Sequence, residues 1–255
     1  MVIGNIMSFK ESNSQNQTSS RSDLLPLCVD LDGTLIEEDV TQKSLWALLA
    51  KNPFYGLFFF FWLLRGRAFF KRQLVNHITL DPSQLVYNKD VLELIKKAQK
   101  KGQDIILATA ADEKMAHKVA HYLGCFNTII ASDGKTNQRA YKKAQSLINA
   151  FGKGRFIYIG NSKDDLYVWA SAQTGIAVNV SPGLAKKIKR LSAPVALLSY
   201  QKEKPQNPGL SFIKKGFAFF ISLIFILFLS VLYKSDPSIT PVNPYIIPDV
   251  LHNPF

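Results

Sequence analysis

The chain has little cysteine. Its 2 cysteines among 255 residues, Cys28 and Cys125, lie in apolar stretches and lack the spacing of a metal site. Such residues suit a reducing compartment, in which they pack as small apolar side chains. A glycine-rich phosphate loop of the P-loop type is also missing from the sequence.

Acidic residues are scarce as well. The chain has 19 of them against 31 lysines and arginines, a formal net charge of +12, and none lies between Val40 and Leu80. This excess does not indicate nucleic-acid binding, because no basic stripe alternates with aromatic residues on a recognisable reader element. It lies largely near the two most apolar segments of the chain, so we expect a membrane surface as the partner.

The first apolar segment covers residues 54–64 and is followed by Arg65 and Arg67. It is too short to cross a bilayer, which takes about 20 residues. One interpretation is a helix that lies in the membrane interface, with its cations toward anionic head groups. The other is a helical hairpin whose aromatic side chains pack on the protein core.

The second apolar segment, residues 216–233, carries no charge and is long enough to span a membrane. We predict a single transmembrane helix there. More positive charge lies on its N-terminal side, so the preceding domain is expected in the cytoplasm. The remaining regions are predicted as a disordered polar leader (1–23), a linker (201–215) and a proline-rich tail (234–255).

The stretch between leader and linker, residues 24–200, alternates strand and helix patterns. Apolar runs predict strands at 24–31, 104–109, 128–131, 155–160 and 176–180, with helices at about 89–101, 112–123, 138–151 and 163–172. This alternation predicts an α/β fold, a Rossmann-like parallel sheet with helices on both faces. Residues from about 38 to 88 interrupt it, and we predict a small helical cap inserted after the first strand.

Two aspartates follow the first predicted strand, in the sequence Val29-Asp30-Leu31-Asp32-Gly33-Thr34-Leu35. Positions i and i+2 of a strand point to the same side, so Asp30 and Asp32 are expected to face one site. Two neighbouring carboxylates repel each other unless a cation or a shared proton lies between them. The alternative is an ordinary Asp-Gly turn after a buried strand.

Polar residues also end two other predicted strands. Thr109 ends the second, and Asn161 follows the fourth within Gly160-Asn161-Ser162-Lys163-Asp164-Asp165. Ligand sites of such sheets lie beyond the carboxyl ends of the strands. Agreement between these separate segments favours a functional site over a chance turn.

These motifs resemble those of the haloacid dehalogenase (HAD) superfamily, over residues 24–200. The resemblance implies a phosphatase in which Asp30 attacks phosphorus and carries a transient aspartyl-phosphate. Asp32 would protonate the leaving oxygen and then take a proton from the hydrolytic water. Thr109 would hold a phosphoryl oxygen.

The resemblance also implies a basic residue and a Mg²⁺ ion. The basic candidates are Lys135, Arg139, Lys142 and Lys143, of which family spacing fits Arg139 or Lys143. The metal set would be Asp30, Asp32, Asn161 and Asp165. Asn161 departs from the family, which usually has a carboxylate there; an amide oxygen ligates Mg²⁺ but supplies no charge.

A narrower resemblance is to the HAD-like domain that precedes some UbiA-type prenyltransferases. It rests on four phrases of the sequence: Leu63-Leu64-Arg65-Gly66-Arg67, Ala108-Thr109-Ala110-Ala111-Asp112, Ala131-Ser132-Asp133-Gly134 and Gly160-Asn161-Ser162. The combined hypothesis is a membrane-anchored, Mg²⁺-dependent phosphatase whose substrate is a phosphorylated prenyl lipid or a lipid-linked sugar phosphate. The alternatives are a catalytically degenerate, membrane-tethered adaptor and a phosphotransferase.

Overall fold

A computed structural model of the protein describes residues 24–198. The predicted leader, linker, transmembrane helix and tail (1–23, 201–215, 216–233 and 234–255) lie outside the described residues. Within residues 24–198, no helix combines the length and apolar character needed to cross a membrane.

The described residues alternate between strands and helices. In chain order they form β1 (Leu27–Val29), α1 (Val40–Lys51), α2 (Tyr55–Leu64), α3 (Arg67–His77), α4 (Lys89–Lys100), β2 (Ile105–Asp112), α5 (Glu113–Leu123), β3 (Thr128–Ser132), α6 (Tyr141–Phe151), β4 (Ile157–Gly160), α7 (Leu166–Trp169), β5 (Thr174–Val178), α8 (Pro182–Ile188) and β6 (Val195–Leu198). Short 3₁₀ turns at Pro82–Gln84 and Lys163–Asp165 precede α4 and α7.

The strands form one six-stranded parallel sheet in the order β3-β2-β1-β4-β5-β6. The predicted Rossmann-like sheet is therefore confirmed. The chain order reverses at β1, which lies between β2 and β4, so residues that follow these three strands meet at one edge of the sheet.

Helices cover both faces of the sheet, as the alternation predicts. Leu27 and Val29 of β1 join an apolar cluster under α4 and α5, and Cys28 between them joins a second cluster under α6 and α8. Burial raises the pKa of the Cys28 thiol. Cys28 thus packs as a small apolar side chain.

Three local predictions differ from the structure. The strand β2 was expected to end at Thr109, but it continues to Asp112. The strand β6 was not expected; it pairs with β5 alone, and an edge strand tolerates a preceding proline such as Pro194. The helix expected at 163–172 is instead the 3₁₀ turn followed by the four-residue α7. There the Ser162 and Asp165 side chains form a reciprocal capping box that tightens the first turn.

The insertion after β1 contains α1, α2 and α3, as the predicted helical cap requires. Asp39 caps α1 by accepting a hydrogen bond from the Gln42 N–H at 2.8 Å. Gly66, at φ +103°, occupies the turn between α2 and α3, a conformation that favours glycine. The cap returns to the core near Tyr87, where an isolated bridge joins it to Ile36.

Candidate active site

Asp30, Lys143 and Asp165 form a buried ion-pair cluster at the edge of the sheet. The Lys143 Nζ donates to Asp30 Oδ1 at 2.8 Å and lies 3.3 Å from Asp165 Oδ1. Asp30 directly follows β1, Lys143 lies in the first turn of α6, and Asp165 ends the 3₁₀ turn after β4. The two carboxylates raise the pKa of Lys143 although burial opposes its charge, so the lysine stays a cation.

Tyr158 completes this cluster and was not predicted from the sequence. Its hydroxyl donates to Asp165 Oδ1 at 2.5 Å and accepts from Lys143 Nζ at 2.9 Å. The available signal was a single polar group in the otherwise apolar strand β4. A buried tyrosine hydroxyl usually has a hydrogen-bond partner, so this residue is a candidate for any site at the strand's end.

Asp165 is engaged through both carboxylate oxygens. Its Oδ2 accepts from the Asn161 N–H at 3.1 Å, the Ser162 N–H at 2.9 Å and the Ser162 hydroxyl at 2.9 Å. Burial alone would raise the pKa of Asp165, but Lys143 and these hydrogen bonds hold it below its ordinary value. Asp165 is therefore an anion that fixes Lys143 and the loop carrying Asn161.

The two aspartates of the first motif have raised pKa values. Burial raises the pKa of Asp30 to about 6, against the opposing charge of Lys143. Burial and the nearby Asp39 raise the pKa of Asp32 to about 7, although its Oδ1 accepts the Val40 N–H at 2.8 Å. Asp32 can therefore hold or release a proton near neutral pH, as a general acid and base must.

Asn161 packs against the turn that follows Asp32. Gly33 lies at φ +73°, and a Cβ added there would lie 2.1 Å from the Asn161 Nδ2. Only glycine leaves room for this amide. The contact brings the loop after β4 and the turn after β1 together, as their positions at neighbouring strand ends predict.

The donor set of this site fits Mg²⁺ better than a softer ion. Among residues 24–198 no group of three or more histidine, cysteine or acidic side chains is arranged to hold a metal. The oxygen donors at hand are the Asp30 and Asp32 carboxylates and the Asn161 amide, since both Asp165 oxygens are engaged. Mg²⁺ is typically held by one or two carboxylates together with waters and substrate phosphates, so a sparse set of protein oxygens is the kind that would hold it.

Thr109 is fully buried in β2, the strand beside β1. Its Oγ1 accepts the Ala111 N–H at 2.9 Å, so the hydroxyl hydrogen is left to donate. Of the two basic candidates, the structure brings only Lys143 to Asp30. Arg139 precedes α6 and forms an ion pair with Asp164.

Lys71 of α3 brings a second lysine to the same edge of the sheet. Its Nζ donates to the Ala110 carbonyl at 2.5 Å and to Asn137 Oδ1 at 3.3 Å. Burial lowers the pKa of Lys71, while the charges of Asp32 and Asp39 oppose that shift. The sequence marks it only as one of several cap cations, because the contact joins distant segments.

The neighbouring Arg72 holds the cap on the core. Its Nε lies 2.7 Å from Asp112 Oδ2 and its second guanidinium nitrogen 2.8 Å from Glu113 Oε1. Asp112 also caps α5 by accepting the Lys114 N–H at 3.0 Å. Consecutive cations of α3 therefore connect the cap to the core beside the candidate site.

The chain is similar in fold to a solved structure. No protein-family model matches the chain. A crystal structure of HAD family hydrolase t0658 from Salmonella enterica subsp. enterica serovar Typhi aligns with a TM-score of 0.50 and 16% identity, covering 69% of each chain. The chain has the fold of a HAD family hydrolase. At this identity the similarity concerns the fold alone.

Two other proteins resemble the chain, one in structure and one in sequence. Phosphoserine phosphatase in its apo form aligns with a TM-score of 0.47 and 16% identity, over 68% of this chain and 92% of that one. The uncharacterized protein y4nM of Sinorhizobium fredii (strain NBRC 101917 / NGR234) is 33% identical over 187 residues, 73% of this chain. The chain spans 36% of the length of that curated relative.

Proposed function

We propose that the chain is a phosphatase of the HAD type that works through an aspartyl-phosphate on Asp30. One observation carries the proposal: Asp30 is paired with the buried Lys143, and Asp32, which can exchange a proton near neutral pH, lies two residues further on. A nucleophilic carboxylate, a fixed cation for phosphoryl oxygens and a proton donor are the groups that phosphomonoester hydrolysis requires.

The reaction has two steps. Asp30 Oδ2, the oxygen that Lys143 does not contact, attacks phosphorus, and the protonated Asp32 gives its proton to the departing substrate oxygen. In the second step Asp32, now a carboxylate, takes a proton from water as that water attacks the aspartyl-phosphate. Inorganic phosphate leaves, and both aspartates return to their first state.

The remaining residues stabilise charge and geometry. Lys143 and the Thr109 hydroxyl would hold phosphoryl oxygens, while Arg139 is a less favoured candidate because it pairs with Asp164. Asp30, Asp32 and Asn161 would hold Mg²⁺, supported by Asp165, and the ion would neutralise phosphoryl charge. Lys71 would add a cation from the cap.

The substrate proposed is a phosphorylated prenyl lipid or a lipid-linked sugar phosphate. An apolar, basic cap beside the site supports this class, because such a substrate joins a phosphate to a hydrophobic chain. A transmembrane helix at 216–233, with the catalytic domain in the cytoplasm, would keep the enzyme near that substrate. The narrower resemblance to domains fused to UbiA-type prenyltransferases is consistent with this class.

The test is trapping of the intermediate. The full chain would be incubated with a panel of phosphomonoesters that includes polyprenyl phosphates, with Mg²⁺ or with EDTA. Phosphate release is measured, and borohydride reduction followed by peptide mass spectrometry locates the acyl-phosphate. We expect reduction at Asp30 and none in Asp30→Asn. Unchanged turnover in Asp30→Asn, or no turnover of any ester by the wild type, would contradict the proposal.

Asn161 favours a second candidate, a HAD-fold adaptor tethered to the membrane. A neutral amide where the family usually has a carboxylate weakens the metal site. Titration with Mg²⁺ separates the two functions: an adaptor shows no binding near Asp30 at millimolar ion, whereas an enzyme does. Adding an alcohol acceptor to the phosphatase assay and analysing the products would identify a phosphotransferase, which uses the same residues.

A further inference from the structure

The cap exposes an unusual amount of apolar surface. Seven large apolar side chains are between 43% and 69% exposed and define what we call the α2 surface: Phe54, Leu57, Phe58, Phe60, Phe61, Leu63 and Leu64. Single exposed apolar residues are normal, but a contiguous group of this size marks an interaction site. In α2 itself only Phe59 is buried.

The helix is attached by its opposite side. Tyr55, Phe59 and Trp62 lie on one stripe and face α3. The Tyr55 ring lies 5.1 Å from His77, Phe59 5.7 Å from Phe70 and Trp62 5.2 Å from His77, measured between centroids. The packing of α2 is therefore complete on one stripe, and the exposed surface is the remainder of its circumference.

The charged residues that flank α2 in the sequence all have one sign. Lys51 before it and Arg65 and Arg67 after it are exposed, and residues 40–80 contain no acid. The Arg65 guanidinium lies 4.2 Å above the Phe69 ring. An apolar surface with cations at both ends complements the acyl chains and the anionic head groups of a bilayer.

We propose that the α2 surface docks in the head-group region of an anionic bilayer. The 10 residues of α2 extend about 15 Å, half the thickness of a hydrocarbon core, so the helix lies along the surface and does not cross it. The exposed side chains cover more than half of the helix circumference. A protein groove would bury a narrower stripe, whereas lipid surrounds a wide apolar arc.

This proposal does not depend on phosphatase activity. Residues 54–64 combine the two interpretations: three aromatic rings pack within the cap, and the exposed side chains would face lipid. The proposal also concerns α2 alone, so it is distinct from the predicted transmembrane helix. The experiment must therefore report on α2 locally, because the full chain is expected to bind vesicles through residues 216–233 in any case.

Site-directed spin labelling provides that local readout. The full chain with Cys125→Ala would carry a nitroxide at Phe60→Cys, or at Lys96→Cys as a control on the exposed side of α4. Each would be reconstituted in phosphatidylcholine vesicles with or without phosphatidylglycerol. Collision with oxygen reports lipid, and collision with a water-soluble nickel chelate reports solvent.

We expect the label at 60 to be accessible to oxygen in anionic vesicles and the label at 96 to the nickel chelate. In Arg65→Gln/Arg67→Gln the ratio of lipid-immersed to solvent-exposed label at 60 should fall about tenfold, since each surface arginine contributes to binding anionic lipid. Arg65→Lys/Arg67→Lys retains the charges and should restore the ratio.

Three results would overturn the proposal. The first is a label at 60 that stays accessible to the nickel chelate in anionic vesicles. The second is equal immersion in neutral and anionic vesicles that the arginine changes do not alter, which would indicate cover by another segment of the chain. The third is dipolar broadening between labels at 60, which would indicate a second copy.

Discussion

Lys143 Nζ and Asp30 Oδ1 lie 2.8 Å apart although the residues are separated by 113 positions in the chain. The contact exists because β1 and β4 are neighbours in the sheet and α6 precedes β4. This contact stabilises the charged form of Asp30, because the lysine neutralises a carboxylate that burial would otherwise drive to protonation. The same lysine is fixed from its other side by Asp165 and Tyr158.

Lys143→Met should therefore affect both stability and turnover. It would leave Asp30 and Asp165 buried without their cation, at a cost of about 3 kcal/mol in the free energy of unfolding. Phosphate release should fall at least about a hundredfold, because a charge that stabilises the phosphoryl group is lost. Denaturant unfolding and the phosphatase assay measure the two effects.

Arg139→Met is the matched control for this change. Its ion pair with Asp164 is largely exposed, so we expect a loss below about 1 kcal/mol and little change in turnover. Equal losses in the two variants, or full activity in Lys143→Met, would show that Lys143 is not the phosphate-binding cation.

Asp32→Asn should change the pH dependence of stability. The pKa of Asp32 is about 7 in the folded protein and near 3.8 in an unfolded chain. Between these values folding retains a proton that the unfolded chain has released, so the free energy of unfolding falls as pH rises. Asparagine keeps the acceptor for Val40 and never ionises. In the absence of metal, Asp32→Asn should raise the free energy of unfolding by about 1 kcal/mol at neutral pH, a figure reduced to allow for the partial exposure of Asp32. In acid the two proteins should be equally stable.

Asp133→Asn provides a control of opposite sign. Hydrogen bonds from the Thr136 and Lys135 N–H groups hold the pKa of Asp133 below its ordinary value. Its charge therefore stabilises the folded wild type above the acid range, so Asp133→Asn should become less stable relative to the wild type as pH rises. Unfolding curves would be measured in EDTA for both variants and for the wild type. If the stability difference from the wild type changes with pH in the same direction for both variants, the raised pKa of Asp32 is contradicted.

The sheet was predictable from local sequence, and so was the placement of Asp30, Asp32 and Asn161 after neighbouring strands, but the basic residue that lies beside Asp30 was not. Asp30 and Asp32 stand out because they end an apolar strand. Arg139 and Lys143 are four positions apart, which is the spacing of one helix face, so pattern alone could not separate them. The backbone conformation separates the two residues. Because α6 begins at Tyr141, after Ala140 at φ +52°, Arg139 lies outside the helix and Lys143 lies in its first turn.

Tyr158→Phe tests the support behind the lysine. It removes the hydroxyl shared by Asp165 and Lys143 but keeps the ring, which packs edge-on 6.3 Å from Trp169. We expect a loss of about 1 kcal/mol in stability. Because Tyr158 acts through Lys143, kcat should fall while KM changes little.

Tyr87→Phe is the control for Tyr158→Phe. Its hydroxyl donates to the Pro82 carbonyl at 2.9 Å, away from the ion-pair cluster of Asp30, Lys143 and Asp165. The loss of stability should be comparable or smaller, with kcat unchanged. A drop in kcat of the same size in both variants would mean that Tyr158 has only a structural role.

Lys71→Met tests whether the cap contributes to substrate binding. Its hydrogen-bond partners are a carbonyl and an amide, and the nearby buried Asp32, whose charge Lys71 opposes, can take up a proton when the lysine is lost. Stability should therefore change by less than about 1 kcal/mol. If Lys71 faces the phosphorylated substrate, kcat/KM should fall about tenfold, mainly through KM. Lys114→Met is the matched control, since the Lys114 Nζ also joins core to cap, at 2.7 Å from Asn76 Oδ1, but on the exposed side of α3. Equal values of kcat/KM in the two variants would reduce Lys71 to a contact that only holds the cap in place.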